Sequence, residues 1–182
     1  MAKEVINKSN LLHEVWDYVR IILTVVVAVL LINNFLLINA RIPSESMENT
    51  IMVGDQIFGN RLAYKKADPE RYDIIIFKYP DDESQLFIKR IIGLPGETVN
   101  IVDGKVYVEG QETPLEDDFI PEPMEGSFGP YTVPDDSYFV LGDNRNHSLD
   151  SRFWQNTFVT REEILGKAGL RYFPFTKIGF VH

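Results

Sequence analysis

The longest apolar run of the chain lies near its N-terminus. No residue from Ile21 to Ala40 is charged, and its polar residues, such as Asn33 and Asn34, are few. A helix of ~20 residues, rising about 1.5 Å per residue, matches the roughly 30 Å of hydrocarbon in a bilayer. The pattern predicts a transmembrane helix over residues 21–40, after a segment over residues 1–20 and before a domain over residues 41–182.

Basic residues flank this run unequally. Lys3, Lys8 and Arg20 precede it, whereas Arg41 is the nearby basic residue that follows it. Because cytoplasmic flanks carry the excess of Lys and Arg, this bias predicts a cytoplasmic N-terminus and an extracytoplasmic domain. The alternative is a cleavable signal peptide that ends at Ile38-Asn39-Ala40. The run exceeds the ~7–15 apolar residues of such peptides and Ile38 is not small, which favours the anchor.

Beyond the run, short apolar or alternating segments are separated by turn residues, as is typical of strands. Residues 73–77 and 86–92 flank a polar segment that contains proline, and they predict one hairpin. Residues 99–102 and 105–108 flank Asp103-Gly104, a dipeptide that suits a type I′ turn. These four segments therefore predict two antiparallel hairpins.

The rest of the chain adds strands, one helix and one loop to this prediction. Further strands are predicted over residues 137–141 and 167–173. A short helix is predicted where Thr160 precedes Glu163 at the spacing of a capping box. Residues 111–131 are rich in proline and acidic residues and are predicted to form a solvated surface loop. The fold class is therefore mainly β, with one N-terminal transmembrane helix.

Composition narrows the function classes. The chain has 182 residues, which leaves room after the anchor for one domain with a single substantial core. It has 18 Lys and Arg against 27 Asp and Glu, a formal net charge of −9, which disfavours nucleic acid as a partner. It has no cysteine, which excludes disulfides, thiolate catalysis and zinc sites of the cysteine type.

Two short segments carry the candidate chemistry. Ser46 lies about six residues past the apolar run, so an extended chain keeps it within roughly 20 Å of the point where the chain leaves the membrane. Lys89 lies between apolar neighbours in a predicted strand, on the face opposite Arg90. A serine hydroxyl needs a base, and apolar surroundings can lower the pKa of a lysine to about 7–8 so that it becomes one. The alternatives are a turn serine and an ordinary solvent-facing lysine.

A third segment makes this pattern more specific. Residues 142–154 read Gly-Asp-Asn-Arg-Asn-His-Ser-Leu-Asp-Ser-Arg-Phe-Trp. Together with the serine and lysine segments, they resemble bacterial type I signal peptidases, the membrane-bound leader peptidases, in the short form typical of Gram-positive bacteria. Four segments agree with that family's pattern in order: residues 42–57, 71–80, 87–97 and 142–154. The resemblance implies an extracytoplasmic, β-rich catalytic domain.

The resemblance also implies roles for individual residues. Ser46 matches the family nucleophile, and Lys89 matches the general base. Ser44 aligns with the residue whose hydroxyl joins the nucleophile's backbone N–H in an oxyanion hole. Ser148 aligns with the serine that hydrogen-bonds and orients the lysine. Four charged residues of the same loop are expected to support the site: Asp143, Arg145, Asp150 and Arg152.

The implied substrates are secreted preproteins, cut after small residues in sites of the Ala-x-Ala type. In this family the substrate binds as an added β-strand, and apolar pockets accept its small side chains. Five residues align with pocket walls, and core packing is the alternative for each: Ile42, Met47, Ile51, Phe87 and Ile88. The other expected partner is the lipid bilayer. No cofactor and no metal are predicted.

Three positions depart from the common signal peptidase pattern. Asn49 stands where proline is usual, Tyr72 where glycine is frequent, and Gln155 where glycine is often found. None of these changes removes a group with an expected catalytic role. They concern the local geometry of loops, and Asn49 lies closest in sequence to Ser46.

Other functions are weighed against this interpretation. A Ser-His-Asp triad using His147 would leave Lys89 without a purpose, and the cluster of Asp143, Asn144 and Asp150 lacks the spacing of a calcium loop. A self-cleaving repressor of the related Ser-Lys fold would need a DNA-binding region where this chain has its apolar run. An inactive anchored binding module and a general surface protease remain alternatives that only cleavage assays distinguish.

Overall fold

The structure, a computed structural model, describes residues 8–182. Its helical part consists of α1 (Lys8–Leu31), which continues as a π-helix over Ile32–Leu36. Within this part, His13–Leu36 is long and apolar enough to cross a membrane. The flanking residue Lys3 lies outside the described residues. Residues 37–182 form a separate compact unit.

The strands of that unit are antiparallel. In chain order they are β1 (Leu37–Arg41), β2 (Gln56–Asn60), β3 (Ile74–Tyr79), β4 (Asp82–Gly93), β5 (Thr98–Val102), β6 (Lys105–Val108), β7 (Phe128–Thr132), β8 (Ser137–Leu141), β9 (Val159–Thr160), β10 (Ile164–Phe173) and β11 (Gly179–Phe180). The larger sheet has the order β1-β2-β10-β3-β4-β8-β9, with β11 beside β10. The smaller sheet has the order β6-β5-β7. The mainly β fold class is thus confirmed.

The predicted bounds of the transmembrane helix differ from the helix in the structure. The helical part begins before Ile21 and ends at Leu36, so residues 37–40 of the apolar run belong to β1 instead. These residues pair with β2, and Ile38 is buried while Asn39 is exposed. The alternation and the pairing explain why an apolar segment with no charge leaves the helix and joins the sheet.

Both predicted hairpins are confirmed. β3 pairs with β4 so that Ile75 lies opposite Lys89, and β5 pairs with β6. Asp103 and Gly104 have φ values of 48° and 77°, as both central residues of a type I′ turn require. The hairpin of β3 and β4 is central to the site because it fixes the position of Lys89.

The predicted helix near Thr160 is wrong. Thr160 ends β9, and Ile164 begins β10 opposite Phe77. The side chain of Glu163 does accept hydrogen bonds from Thr160, at 2.7 Å from its N and 2.9 Å from its Oγ1. The capping contacts thus close a turn between strands, because Ile164 is buried by sheet pairing rather than by a helix.

The proline-rich segment 111–131 is not simply a solvated loop. Its last residues form β7, which pairs with β5. Met124 is buried in the core cluster that includes Ile101 and Val106. The segment is rich in acidic residues, but the burial of Met124 and the pairing of β7 with β5 determine its position in the fold.

A second core cluster lies beneath the turn that carries Ser46. Its members are buried apolar side chains from that turn and from the larger sheet: Ile42, Met47, Ile51, Ile57, Ile74, Ala168 and Val181. Met47 and Ile51 are fully buried. Because they flank Ser46 on its C-terminal side, their burial fixes the turn to the sheet.

Candidate active site

Ser46 and Lys89 meet in a buried contact. Ser46 lies in a turn closed by hydrogen bonds from the Glu48 N–H to the Glu45 carbonyl (2.9 Å) and from the Ile51 N–H to the Met47 carbonyl (2.8 Å). Lys89 lies in β4, and its Nζ donates a hydrogen bond of 2.7 Å to Ser46 Oγ. The structure therefore brings together the two residues that the sequence selected.

The surroundings of Lys89 favour its neutral form. The residue is 3% exposed, and burial lowers the pKa of Lys89 to about 8, against the opposing charges of Asp150 and Asp143. The second hydrogen bond of Nζ goes to the Ile88 carbonyl at 3.2 Å, which is a neutral acceptor. A substantial fraction of Lys89 is therefore unprotonated near pH 8, where its amine can accept the Ser46 proton.

Ser44 and Ser148 lie close to Ser46. The two hydroxyl oxygens of Ser44 and Ser46 are 3.5 Å apart. The Ser148 hydroxyl is buried and has no hydrogen-bond partner among the described residues, so the expected bond to Lys89 is not formed. Ser148 does lie against Gly142, where an added Cβ would be 2.2 Å from Ser148 Oγ and 2.3 Å from the Ser46 carbonyl oxygen. Glycine is thus required for this close approach.

Asp150 and Arg152 form the expected ion pair. Arg152 donates from Nε to one carboxylate oxygen at 2.8 Å and from Nη2 to the other at 2.9 Å, and both side chains are buried. The same carboxylate accepts a hydrogen bond from the Gly142 N–H at 3.1 Å. The pair therefore fixes the backbone at the position that Ser148 and Ser46 approach.

Asp143 and Arg145 also lie in this loop, with partners that the sequence did not reveal. Asp143 accepts two hydrogen bonds from Arg90, at 2.8 and 2.7 Å, and one from the Thr50 hydroxyl. Arg145 is buried and donates to the Gly142 carbonyl at 3.1 Å. Strand alternation predicted that Arg90 would point away from Lys89, but no local signal identified Asp143 as its partner.

Asn144, which the sequence suggested only as part of a possible calcium cluster, holds the turn of Ser46. Its N–H donates to the Ser46 carbonyl at 3.1 Å, and its side-chain amide donates to the Glu45 carbonyl at 3.2 Å. Two consecutive carbonyls of the nucleophile turn are thus held by one residue. The link spans about 100 positions of sequence, which is why no spacing rule could find it.

An open cleft of about 430 Å³ contains Ser46 and Lys89. A smaller adjoining pocket of about 170 Å³ shares four of its lining residues: Pro43, Leu86, Phe87 and Ile88. Ile42 lines the smaller pocket. Met47 and Ile51 line neither pocket and pack in the core cluster, which is the alternative that the sequence left open for them.

His147 lies at the cleft but does not pair with the nucleophile. Its Nδ1 is 3.9 Å from a carboxylate oxygen of Glu45, and both side chains are largely exposed. Asp150 is bound by Arg152 and Gly142 instead. The described residues therefore contain the contact of Ser46 with Lys89 and lack the contacts of a Ser-His-Asp triad.

Comparison with known proteins identifies the family of this chain. A family model described as "Signal peptidase, peptidase S26" matches residues 15–173. This chain belongs to the S26 signal peptidase family. It is therefore a peptidase of the signal peptidase I type, and the membrane anchor of that family fits its N-terminal apolar helix.

Relatives of this signal peptidase come from several groups of organisms. It is 42% identical to a probable signal peptidase I-2 of Synechocystis, over 87% of this chain and 74% of that protein. It is 36% identical to a signal peptidase I of Bacillus amyloliquefaciens, over 94% of this chain and 95% of that protein. A crystal structure of a signal peptidase I from Enterococcus faecalis is 36% identical to this chain. The match covers 55% of this chain and 96% of that chain, with a TM-score of 0.48.

The departures from the common signal peptidase pattern have a clear backbone basis at two positions. Asn49 has φ of 82°, which proline cannot adopt because its ring holds φ near −65°. Tyr72 has φ of 72°, a value at which glycine is free of strain and tyrosine is not. At Gln155 the backbone N–H donates to the Asp81 carboxylate at 2.9 Å. The hydrogen bond between Lys89 and Ser46 is present alongside all three.

Proposed function

We propose that this signal peptidase removes N-terminal signal peptides from secreted preproteins by a Ser-Lys mechanism. Neutral Lys89 takes the proton of Ser46 Oγ as that oxygen attacks the scissile carbonyl carbon. Lys89 then returns the proton to the leaving amine, which releases the mature protein and leaves an acyl-enzyme ester on Ser46. Lys89 next takes a proton from water as the water oxygen attacks the ester carbon, and it gives that proton to Ser46 Oγ as the ester bond breaks. The signal peptide leaves with a free carboxylate, and neutral Lys89 and the Ser46 hydroxyl are restored.

The 2.7 Å hydrogen bond between Lys89 Nζ and Ser46 Oγ is the observation that carries this proposal. It lies within the range in which a general base can abstract a proton directly. Burial gives the same lysine a pKa of about 8, so its neutral form is available near physiological pH. Contact and protonation state thus agree on one role for Lys89.

Two serines are proposed to assist the pair. The Ser44 hydroxyl, 3.5 Å from Ser46 Oγ, is suited to donate to the oxyanion together with the Ser46 backbone N–H. One such donor contributes about 2.7–4 kcal/mol of transition-state stabilisation. The buried Ser148 hydroxyl is proposed to accept a hydrogen bond from Lys89 Nζ during the reaction and so to orient the lysine. Its lack of another partner among the described residues supports this assignment.

The two adjoining pockets are proposed to set the preference for small residues before the cut. They are bounded by Pro43, Phe87 and Ile88 and differ in size, at about 430 and 170 Å³. A substrate strand laid along the cleft would direct alternate side chains into them, because successive strand residues point to opposite faces. Apolar walls then limit side-chain size, which fits sites of the Ala-x-Ala type.

We further propose that the apolar helix crosses the membrane with its N-terminus in the cytoplasm and residues 41–182 outside. The basic residues Lys3, Lys8 and Arg20 before the run support this orientation. The few residues between the apolar run and Ser46 then keep catalysis at the extracytoplasmic surface of that membrane.

The test is cleavage of a purified preprotein that has Ala-x-Ala before its cut site. Ser46→Ala and Lys89→Ala are expected to abolish cleavage, whereas His147→Ala retains most of it. Loss of cleavage in His147→Ala together with retention in Lys89→Ala would contradict the proposed base. An inactive wild-type enzyme would instead support an anchored binding module, and cleavage without a requirement for small residues would support a general surface protease.

A further inference from the structure

Phe119, in the acidic segment after β6, lies against the arginine side of the site. Its ring centroid is 4.1 Å from the guanidinium carbon of Arg90 and 5.7 Å from that of Arg145. Tyr72 packs against the same ring edge-to-face, with centroids 5.9 Å apart. A desolvated arginine over an aromatic face is a favourable contact, and here two arginines share one ring.

Both of the strained departures from the signal peptidase pattern contact this one residue. The side chain of Asn49 donates a hydrogen bond of 2.8 Å to the Phe119 carbonyl, and Tyr72 provides the edge-to-face ring. Each has a left-handed backbone, with φ of 82° and 72°. Such conformations persist where surrounding contacts hold them. Two unusual positions far apart in sequence thus converge on Phe119.

The contacts of Phe119 reach the nucleophile turn by two routes. The first route starts at the Phe119 ring, which packs against the guanidinium group of Arg90. Arg90 forms an ion pair with Asp143, and the Asp143 carboxylate also accepts a hydrogen bond from the Thr50 hydroxyl. Through its carbonyl, Phe119 binds Asn49, which precedes Thr50. Both routes therefore end in the turn three to four residues after Ser46.

The residue next to Asp143 completes this network. Asn144 donates to the carbonyls of Ser46 and Glu45, so any shift of Asp143 moves the atoms that hold the nucleophile. Displacement of a reacting group by even about 1 Å can cost on the order of 100-fold in rate. Phe119 itself does not line the cleft that contains Ser46, so its effect must pass through these neighbours.

We propose that Phe119 is a positioning residue for Ser46, which it holds in register with Lys89 by bracing Arg90 and Asn49. This inference rests on the proposed Ser-Lys function. A positioning role predicts an effect on the chemical step rather than on substrate binding, and it requires an aromatic ring rather than any apolar side chain.

The first experiment measures kcat and KM for a soluble peptide substrate, using full-length enzyme in detergent. Phe119→Ala and Phe119→Leu are expected to lower kcat about tenfold with KM unchanged, and Phe119→Tyr to keep the wild-type kcat. The matched control is Ile120→Ala, which truncates the adjacent half-buried side chain and removes no ring; its kcat should match wild type. Full activity in Phe119→Leu would show that the residue only fills space, and would overturn the proposal.

The second experiment is a double-mutant cycle with Asn49→Gly. Glycine keeps the left-handed backbone but removes the hydrogen bond to Phe119, so kcat should fall severalfold. Combined with Phe119→Leu it should add little, because both changes release the same turn. Independent, additive losses would contradict the proposal. If Phe119→Ala fails to fold, the Leu, Tyr and Asn49→Gly variants still decide.

The two proposals fail in different ways. A wild-type enzyme without Ser46-dependent cleavage would overturn the Ser-Lys function and this inference with it. A cleaving wild type in which Phe119→Ala and Phe119→Leu keep the wild-type kcat would overturn the positioning role alone.

Discussion

Lys89 and Arg90 are neighbours on β4, and each is 3% exposed, yet their surroundings differ in kind. Arg90 faces the Asp143 carboxylate in a two-pronged ion pair, with Phe119 against its guanidinium group. Lys89 faces a serine hydroxyl and a backbone carbonyl, both neutral. Arginine keeps its proton in proteins, and the bound carboxylate lets Arg90 brace the structure, whereas burial without a bound carboxylate favours the neutral form of lysine.

The largest expected effect comes from removing the base and keeping a cation. Lys89→Arg places a permanently charged group at the site, because arginine does not lose its proton in proteins. We expect kcat/KM to fall by about 10²–10⁴-fold, the usual contribution of a general base. Hydrolysis of a peptide substrate in detergent measures the loss. Activity close to wild type would mean that Lys89 acts through a positive charge, as Arg90 does, and not as a base.

The next effect concerns the charge that Arg90 needs. Asp143→Asn removes the partner of a buried guanidinium group and is expected to lower the free energy of unfolding by roughly 3–5 kcal/mol. Denaturant unfolding of the full-length protein in detergent provides the measurement. The control is Glu83→Gln, which breaks the exposed pair with Lys78 and should change stability little. Equal losses of unfolding free energy in the two variants would show that the buried pair stabilises the protein no more than the exposed pair does.

The smallest effect is the pH dependence of the wild-type enzyme. Burial gives Lys89 a pKa of about 8, so the neutral, active form increases as the pH rises through that value. From pH 7 to pH 9 its fraction grows from about one tenth to about nine tenths, and kcat/KM should rise about tenfold. A profile of initial rates across this range is sufficient. A flat or falling profile, with the protein still folded, would place the titrating group elsewhere.

Sequence reasoning succeeded where a local signal carried the answer. Asp103-Gly104 fixed one hairpin, because few dipeptides accept left-handed backbone at both positions. Ser46 and Lys89 were selected by motif, and they lie in hydrogen-bond contact. The pairing of β3 with β4 positions Lys89, whereas buried neighbours and Asn144 position the turn of Ser46. The orientation of Arg90 followed from strand alternation alone.

Sequence reasoning failed where long-range packing overrode a local preference. Thr160 and Glu163 make capping contacts without a helix, because Ile164 joins the sheet. Met47 and Ile51 pack in the core cluster, and the sequence could not separate this from a pocket wall, because an apolar residue near a serine looks the same in either role. Asn144 binds the turn of Ser46 from 99 positions along the chain. No periodicity or spacing encodes such a contact.

Gly142 limits the substitutions that this enzyme can accept during evolution. The position of its missing Cβ lies 2.2 Å from Ser148 Oγ and 2.3 Å from the Ser46 carbonyl oxygen, well inside van der Waals contact. A single methyl group here, the smallest side chain that could replace glycine, would push apart Ser46 and Ser148. Many residues around the cleft can be exchanged gradually for others of similar size, but this position offers no intermediate step.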